Sequence, residues 1–456
     1  MTLRFLEMSL AGWGNYRPEL CRVYRPERRA ELRGINILPA GQSLIARGLG
    51  RSYGDSAVNG PGGDVVLQER MDSLLVFDAA TGVVEVEAGV SFATLIELFL
   101  PRGFFLPVVP GTKFVTVGGA IAADIHGKNH HRDGTLGNFI QSLTLLLAGD
   151  EAVICSPTEN ADLFWATIGG MGLTGIILSA RFKLLPIESA YMKVQYRRAA
   201  NLDAALDRFE SAEGDAAKYS VAWIDCLAAG DSLGRGVIME GEHVPACELR
   251  GRRARHPLRL KSKRRRTIRF FWPRLAMSKF NMRMFNRLYY RRHGDRTRVV
   301  NLDAFFFPLD AVQHWNRIYG RRGFIQYQAL LPPESARQGL RELLQKIALA
   351  GQASFLAVLK KTGAHGNGML SFPMPGYTLA LDLPNRGEKL EALVQQLDEV
   401  LLQHGGRLYL AKDAMMSADT FARMYPRLDE FRQVKARVDP QNRFSSSQAR
   451  RLKINS

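Results

Sequence analysis

Pro110-Gly111-Thr112-Lys113-Phe114-Val115-Thr116-Val117-Gly118-Gly119-Ala120-Ile121-Ala122-Ala123-Asp124-Ile125-His126-Gly127-Lys128-Asn129-His130-His131 is the most informative run in this 456-residue chain. From Gly118 to Ala123 every side chain except Ile121 is small, so another body can approach the backbone closely. Polar groups follow at once, from His126 to His131. That pairing suits an organic cofactor. Two plainer readings compete: a small-residue helix packed in a core, and a histidine metal site. The neighbours offer no carboxylate or cysteine at a familiar ligand spacing, so no metal is expected.

Working outward, Ala46-Arg47-Gly48-Leu49-Gly50-Arg51-Ser52-Tyr53-Gly54-Asp55 directly follows residues of strand composition. Closely spaced glycines permit positive φ and let several N–H groups converge on one anion, which a pyrophosphate cradle requires. A tight turn between strands is the plainer alternative. The Rossmann fingerprint is not met, because no GxGxxG opens a helix followed by an acid about 20 residues on. On the other side, Leu163-Phe164-Trp165-Ala166-Thr167-Ile168-Gly169-Gly170-Met171-Gly172-Leu173-Thr174-Gly175-Ile176-Ile177 reads as a helix end, a glycine-rich turn and a strand.

The rest of the chain supplies an α+β frame for these motifs. Its length exceeds one hydrophobic core, so two domains or three are expected. Ser43 to Arg47, Val83 to Ala88, Ile140 to Leu147 and Gly175 to Leu185 have strand composition. Ser91 is placed to cap a helix whose buried face is Phe92, Leu95, Ile96 and Phe99. After Pro186 come helices near Leu202 to Phe209 and Leu340 to Ile347, and strands near Ser220 to Asp225 and Gly376 to Leu383. A further helix on Leu390, Leu393, Val394, Leu397 and Leu401 should stop at Gly405-Gly406.

Bulk composition excludes some classes. Hydrophobic residues at 46% and charged residues at 23% describe a globular chain, not a disordered one. The apolar runs are too short for a bilayer helix, and Met1 to Asn15 lacks the features of a secretory signal, so a cytoplasmic protein is expected. Cys21, Cys155, Cys226 and Cys247 form no CxxC pair, which argues against a disulfide framework or zinc knuckle. The net charge of +18 is carried entirely between Arg250 and Arg298, where nineteen basic residues face one acid, Asp295. Within it, Arg252, Arg253, Arg255, Lys261, Lys263 to Arg266 and Arg269 precede Phe270-Phe271-Trp272. Either this is a solvated, mobile insertion, or it attracts anionic lipid headgroups while the aromatics enter the interface. Nucleic acid is not the expected partner, since no recognised binding fold accompanies the charge.

Together the three glycine-rich segments, in this order and at these spacings, resemble the FAD-binding domain of vanillyl-alcohol-oxidase-type (PCMH-type) flavoproteins. The run from Gly111 to His131 resembles more narrowly the decaprenylphosphoryl-β-D-ribose 2-oxidases. That likeness continues through Trp223, Trp315-Asn316-Arg317, Gln326-Tyr327-Gln328, Ser371-Phe372-Pro373, Leu408 to Asp413, and Asp439-Pro440 through Leu452. It implies a two-domain fold: an FAD-binding domain over 1–190, a substrate domain over 191–405 built on an antiparallel sheet with a basic insertion at 250–298, and a segment over 406–456 that returns to the FAD domain. Ala380 and Ala123 stand where that family carries cysteines, and Phe306 and Phe307 replace a more polar pair. These changes touch the exact substrate more than the reaction.

The resemblance further implies contacts to FAD. Arg47, Gly48, Leu49, Gly50, Arg51, Ser52 and Tyr53 would hold the pyrophosphate. Gly111, Thr112, Thr116, Val117, Gly118, Gly119, Ala122, Ala123, His126, Gly127, Asn129 and His130 would line the cofactor, with Gly172, Gly175, Ile176, Ile177, Tyr409 and Lys412. Relatives with a tethered flavin carry histidine where this chain has Tyr53, so noncovalent FAD is expected. Lys412 would lie beside flavin and substrate, offsetting charge on the reduced ring or orienting the sugar hydroxyl; His126, Gln328 and Lys360 are the next candidates to touch substrate. The implied reaction is oxidation of a sugar secondary alcohol, at carbon 2 of a polyprenyl-phospho-pentose, as the first half of an epimerisation completed by an NAD(P)H-dependent short-chain reductase. A sugar-lactone or alditol oxidase acting on a small soluble sugar is the alternative. A polyprenyl-phosphate substrate would make the protein peripheral at the membrane.

Overall fold

The computed structural model describes residues 4–33, 41–260, 265–273, 277–352, 354 and 356–455. Lys261, Lys263 and Arg264 of the basic segment lie outside the described residues.

Two sheets build the first unit. Leu44–Arg47 and Asp64–Leu67 run parallel beside Glu19–Tyr24, and Phe5–Leu10 closes that sheet antiparallel. Leu74–Asp78, Val83–Glu87, Ile176–Lys183, Ile140–Leu146 and Ala152–Cys155 form, in that spatial order, a five-stranded antiparallel sheet. The expected helix runs over Phe92–Phe99: Ser91 accepts from the Thr94 N–H, and Phe92, Leu95, Ile96 and Phe99 are buried. The small-residue run forms the helix Val117–Ala122, capped by Thr116, whose hydroxyl accepts from the Gly119 N–H. Small side chains let this helix lie close against the sheet: a Cβ on Gly118 would press on Ala88.

The second unit is an eight-stranded antiparallel sheet. Its spatial order is Arg296–Asn301, Tyr191–Ala199, Gly236–His243, Tyr219–Ile224, Ala357–Thr362, Gly376–Pro384, Phe324–Leu331 and Arg407–Leu408. Helices Leu202–Glu210, Pro333–Ala350 and Glu388–Gln403 cover one face. The last of these ends where the glycine pair was expected to stop it, with Gly405 at φ +66°. Because side chains alternate across a strand, Tyr327 reaches Asp398 on the covering helix while its neighbours Gln326 and Gln328 point to the open face.

The basic segment is not a bare loop. It contains the pairing of Arg266–Thr267 with Val312–Gln313, a 14-residue helix Lys279–Arg292, and the edge strand Arg296–Asn301. Among the described residues no helix is long and apolar enough to cross a membrane.

The chain then returns. Arg407–Leu408 still pairs with Ala329 and Leu330, but Ala411 accepts from the Tyr53 N–H and the Leu44 N–H donates to Arg443. Arg451 fastens this tail: it bonds both oxygens of Asp55, Asp413 Oδ2 at 2.9 Å and the Met416 carbonyl at 2.7 Å. Removing one partner from a buried ionic cluster leaves charge uncompensated. Arg451→Ala should therefore cost about 3 kcal/mol, the lower end for a buried pair because the guanidinium is partly exposed. A urea-melt midpoint unchanged from the parent would contradict it.

Candidate active site

Where the glycine-walled unit meets the open face of the eight-stranded sheet there is a cavity of about 570 Å³. One wall is the first loop, with Gly48, Leu49, Gly50, Arg51, Ser52 and Tyr53. Gly48 has no room for a side chain, since a Cβ would collide with Thr116, and Gly50 adopts φ +62°. Gly111, Thr112, Thr116, Gly118, Gly119, Ala122, Ala123, His126 and Gly127 form a second wall; Gly172, Gly175 and Ile177 belong to a third, and Tyr409 and Lys412 arrive from the returning tail.

Sheet register makes the floor. Gln328 pairs with Ala380, Ala380 with Val358 and Val358 with Trp223, so four strands place one cross-strand row on the cavity. Ala380, flanked by Gln328 and Val358, keeps that floor low. Lys360 sits on the same face two residues from Val358.

Charge is concentrated here and poorly compensated. Burial pulls Lys412 down to about 7, with Asp382 opposing and Lys360 reinforcing the shift. Burial likewise draws Lys360 down to about 8 and Lys128 to about 7. Lys412 Nζ stands 4.0 Å over the Tyr53 ring. Behind it Asp382, bonded by Gln326 Nε2 at 2.6 Å, is raised to about 7 by burial. Among the described residues Asp310 is the one carboxylate lining the cavity, and it is taken up by the Thr112 hydroxyl and the Lys113 N–H.

His126 is held in place by Gln328, whose Nε2 lies 2.9 Å from His126 Nε2 and also donates to Thr378. Burial pushes the imidazole well below its ordinary range, so it is neutral. With Nε2 accepting from the amide, the ring proton is on Nδ1, which has no partner among the described residues. Tyr409 stacks on Phe372 and donates to the Ala123 carbonyl at 2.7 Å, fixing its ring beside His126.

Some residues assigned to the cofactor from sequence lie behind these walls. Arg47 braces the first loop through the Ala57 and Ala11 carbonyls, and Val117 and Ile176 are buried in the core. Asn129 bonds Pro107 and Asp133; His130 Nδ1 accepts from the Gly363 N–H. Conversely, Lys128, Gln326, Trp13, Tyr289 and His293 line the cavity without having been assigned to it. Alternation with Gln328 could have pointed to Gln326, and helical spacing within the basic segment to Tyr289 and His293; no local pattern marks Trp13.

The residues fit FAD. A loop that excludes Cβ atoms, an arginine whose Nε has no bond partner among the described residues, and an orphaned imidazole N–H supply an anion cradle and ring contacts. Gly111, where a Cβ would meet nothing within 4 Å, leaves the wall open to a ring.

Comparison with known proteins agrees. An FAD-binding domain model matches residues 23–156, and a D-arabinono-1,4-lactone oxidase model matches residues 384–452. The chain is 40% identical over 452 residues to the decaprenylphosphoryl-β-D-ribose oxidase of Mycolicibacterium smegmatis, covering 98% of this chain and 97% of that one. More distant are the L-gulonolactone oxidase of Mus musculus, 27% identical over 42% of this chain and 44% of its own, and the Δ(24)-sterol reductase of Rattus norvegicus, 30% identical over 30% and 26%. With its glycine walls and this match along nearly its whole length, the chain belongs to the decaprenylphosphoryl-β-D-ribose oxidase family of FAD-dependent oxidoreductases.

Proposed function

We propose that the protein oxidises the carbon-2 hydroxyl of a polyprenyl-phospho-pentose to the 2-keto sugar, the first half of an epimerisation that an NAD(P)H-dependent short-chain reductase completes. The observation that carries this reading is the convergence of Lys128, Lys360 and Lys412 on a cavity whose described lining offers one carboxylate, Asp310, already bonded by Thr112 and Lys113, so that their protonated forms favour an anion. A phosphodiester supplies that anion; a neutral lactone or alditol does not. The lactone-oxidase model matches residues 384–452, the covering helix and returning tail, and none of the strands that carry Trp223, Val358 and Lys360.

Bound FAD supplies the hydride acceptor for the carbinol carbon. The first glycine loop and Arg51 would hold its pyrophosphate, and the small residues of Val117–Ala122 would let its ring approach. His126 offers Nδ1–H as a neutral donor, kept in orientation by Gln328. Lys412, near 7, has a large unprotonated fraction at neutral pH and takes the hydroxyl proton at Nζ. The resulting ammonium then offsets negative charge developing beside it. Trp223 and Val358 exclude water from the floor.

The direct test is anaerobic addition of a prenylphosphoryl-ribose, with flavin bleaching followed optically and the product trapped by borodeuteride. One deuterium at carbon 2 is expected; bleaching by a lactone or alditol alone would transfer the assignment to that class. Tyr53, in the place of a tethering residue, gives a second expectation: acid precipitation leaves the yellow colour in the supernatant, and colour in the pellet would refute it.

Lys412→Ala should slow single-turnover bleaching of the FAD-loaded protein by about 100-fold, as loss of one preorganised electrostatic contact does. Near-parental bleaching would make Lys412 structural. The lysines also set a pH dependence. An anionic substrate binds the protonated forms, and Lys128 and Lys360 lose their protons near 7 and 8 in the free site. KM should therefore rise by about tenfold between roughly pH 7 and 9, since each unit of pKa preference is a factor of ten, and Lys360→Met should flatten that rise. A KM that falls over this range would contradict the assignment.

A further inference from the structure

The helix Lys279–Arg292 has two faces of different character. Met282 and Asn286 are buried, and Asn286 Nδ2 donates to Asp225 at 2.6 Å, where Arg235 also binds. Tyr289 and His293 continue the inner side: both line the cavity, and Tyr289 packs on Trp223 at 4.5 Å between ring centroids. Phe280, Met284 and Leu288, spaced four apart, face outward with Phe285; Phe280 is 75% and Leu288 61% exposed. Around them stand Lys279, Arg283, Arg287, Arg291 and Arg292, all exposed, and the helix carries no acidic residue.

A surface helix normally turns its apolar stripe to the core. This one holds to the core by a short polar and aromatic strip and leaves bulky apolar groups in water, ringed by cations. Such a face fits the boundary between headgroups and acyl chains. Its charge argues against a second copy of the chain as the occupant, because all of the net +18 lies between Arg250 and Arg298 and two copies would bring like charges together. Phe270, Phe271 and Trp272 form another exposed apolar group. That turn is held rigidly, with the Trp272 N–H donating to Arg317 and Arg317 bonding back to the Ile268 and Arg269 carbonyls. It adjoins the turn Trp315–Tyr319, whose Trp315 also lines the cavity.

We infer that Lys279–Arg292 docks on an anionic lipid bilayer and is at the same time the cavity's portal, so that a lipid-linked substrate passes from the bilayer to the sheet floor along the inner face of the helix that the bilayer holds. The docking half stands on the helix itself; the portal half rests on the lipid-linked substrate proposed above.

The test uses the FAD-loaded full chain and vesicles of phosphatidylcholine with or without phosphatidylglycerol. The parent should cosediment with the anionic vesicles in low salt and be released in high salt. Phe280→Ser/Leu288→Ser should weaken that binding by at least about tenfold, as removal of two large buried side chains requires; Arg283→Ser/Arg287→Ser should weaken it and reduce its salt dependence. Turnover separates the two halves. With a short, water-soluble prenylphosphoryl-ribose the Phe280→Ser/Leu288→Ser protein should match the parent, whereas a long-chain homologue in anionic vesicles should be oxidised at least about tenfold more slowly. Parental vesicle binding by that variant overturns the docking assignment, as does a parent that binds no vesicles and forms a dimer the variant dissociates. Equal loss on both substrates overturns the portal. If the parent oxidises neither substrate yet binds vesicles, the substrate reading and the portal fail together while docking remains.

Discussion

Backbone groups hold the glycine-walled unit against the open face of the eight-stranded sheet, and everything chemical in the molecule depends on that seam. The Lys128 carbonyl accepts from Ser220, Lys128 Nζ bonds the Phe305 and Phe306 carbonyls, His130 takes the Gly363 N–H and His131 reaches the Ala217 carbonyl. Farther along, Ser371 donates to the buried Asp124 at 2.6 Å. Without this closure the sheet floor would be wet, and the lysines would sit at ordinary pKa values. Burial is the largest cause of the shift at Lys128, Lys360 and Lys412, so the reactivity of the site is a property of the fit between two units and not of any one side chain.

How far this was legible in the sequence follows from the range of each interaction. The glycine runs could be read because their requirement is local: a positive φ, or a backbone that excludes Cβ, restricts the residue type whatever the rest of the chain does. The capped helix at Ser91 and the helix ended by Gly405 were legible for the same reason. The resemblance puts both His126 and His130 on the cofactor, yet of the two only His126 lines the cavity; His130 points into the seam, and nothing in a run of adjacent polar residues says which way each turns. Asp382 was invisible because its significance comes from Gln326, on the neighbouring strand, and Lys412, on the returning tail. Within the basic segment a signal was present and overshadowed. Met282, Asn286, Tyr289 and His293 fall at helical spacing, but the basic residues between them mask the amphipathic pattern.

Family membership and chemistry remain distinct levels of description. The flavin fold hosts many reactions, and shared walls say little about which substrate enters. What distinguishes this cavity is the gathering of three lysines and its floor, where Ala380 gives depth between Gln328 and Val358. Phe305 and Phe306, at the end of the helix Leu302–Phe306, line the same cavity and lend their carbonyls to Lys128, so an apolar wall also anchors a lysine from the other unit.

The returning tail sets an order of events during biosynthesis. Leu44, on the strand that feeds the first glycine loop, bonds Arg443 and Ser445, and Lys412 reaches the cavity only after the whole substrate sheet has been laid down. Until residues 412–445 have been made, the strand Leu44–Arg47 lacks these partners and the cavity lacks Lys412. The complete site can therefore form only once residues 443–445 have been made, and a nascent polypeptide stalled before them holds an open, unfinished glycine wall.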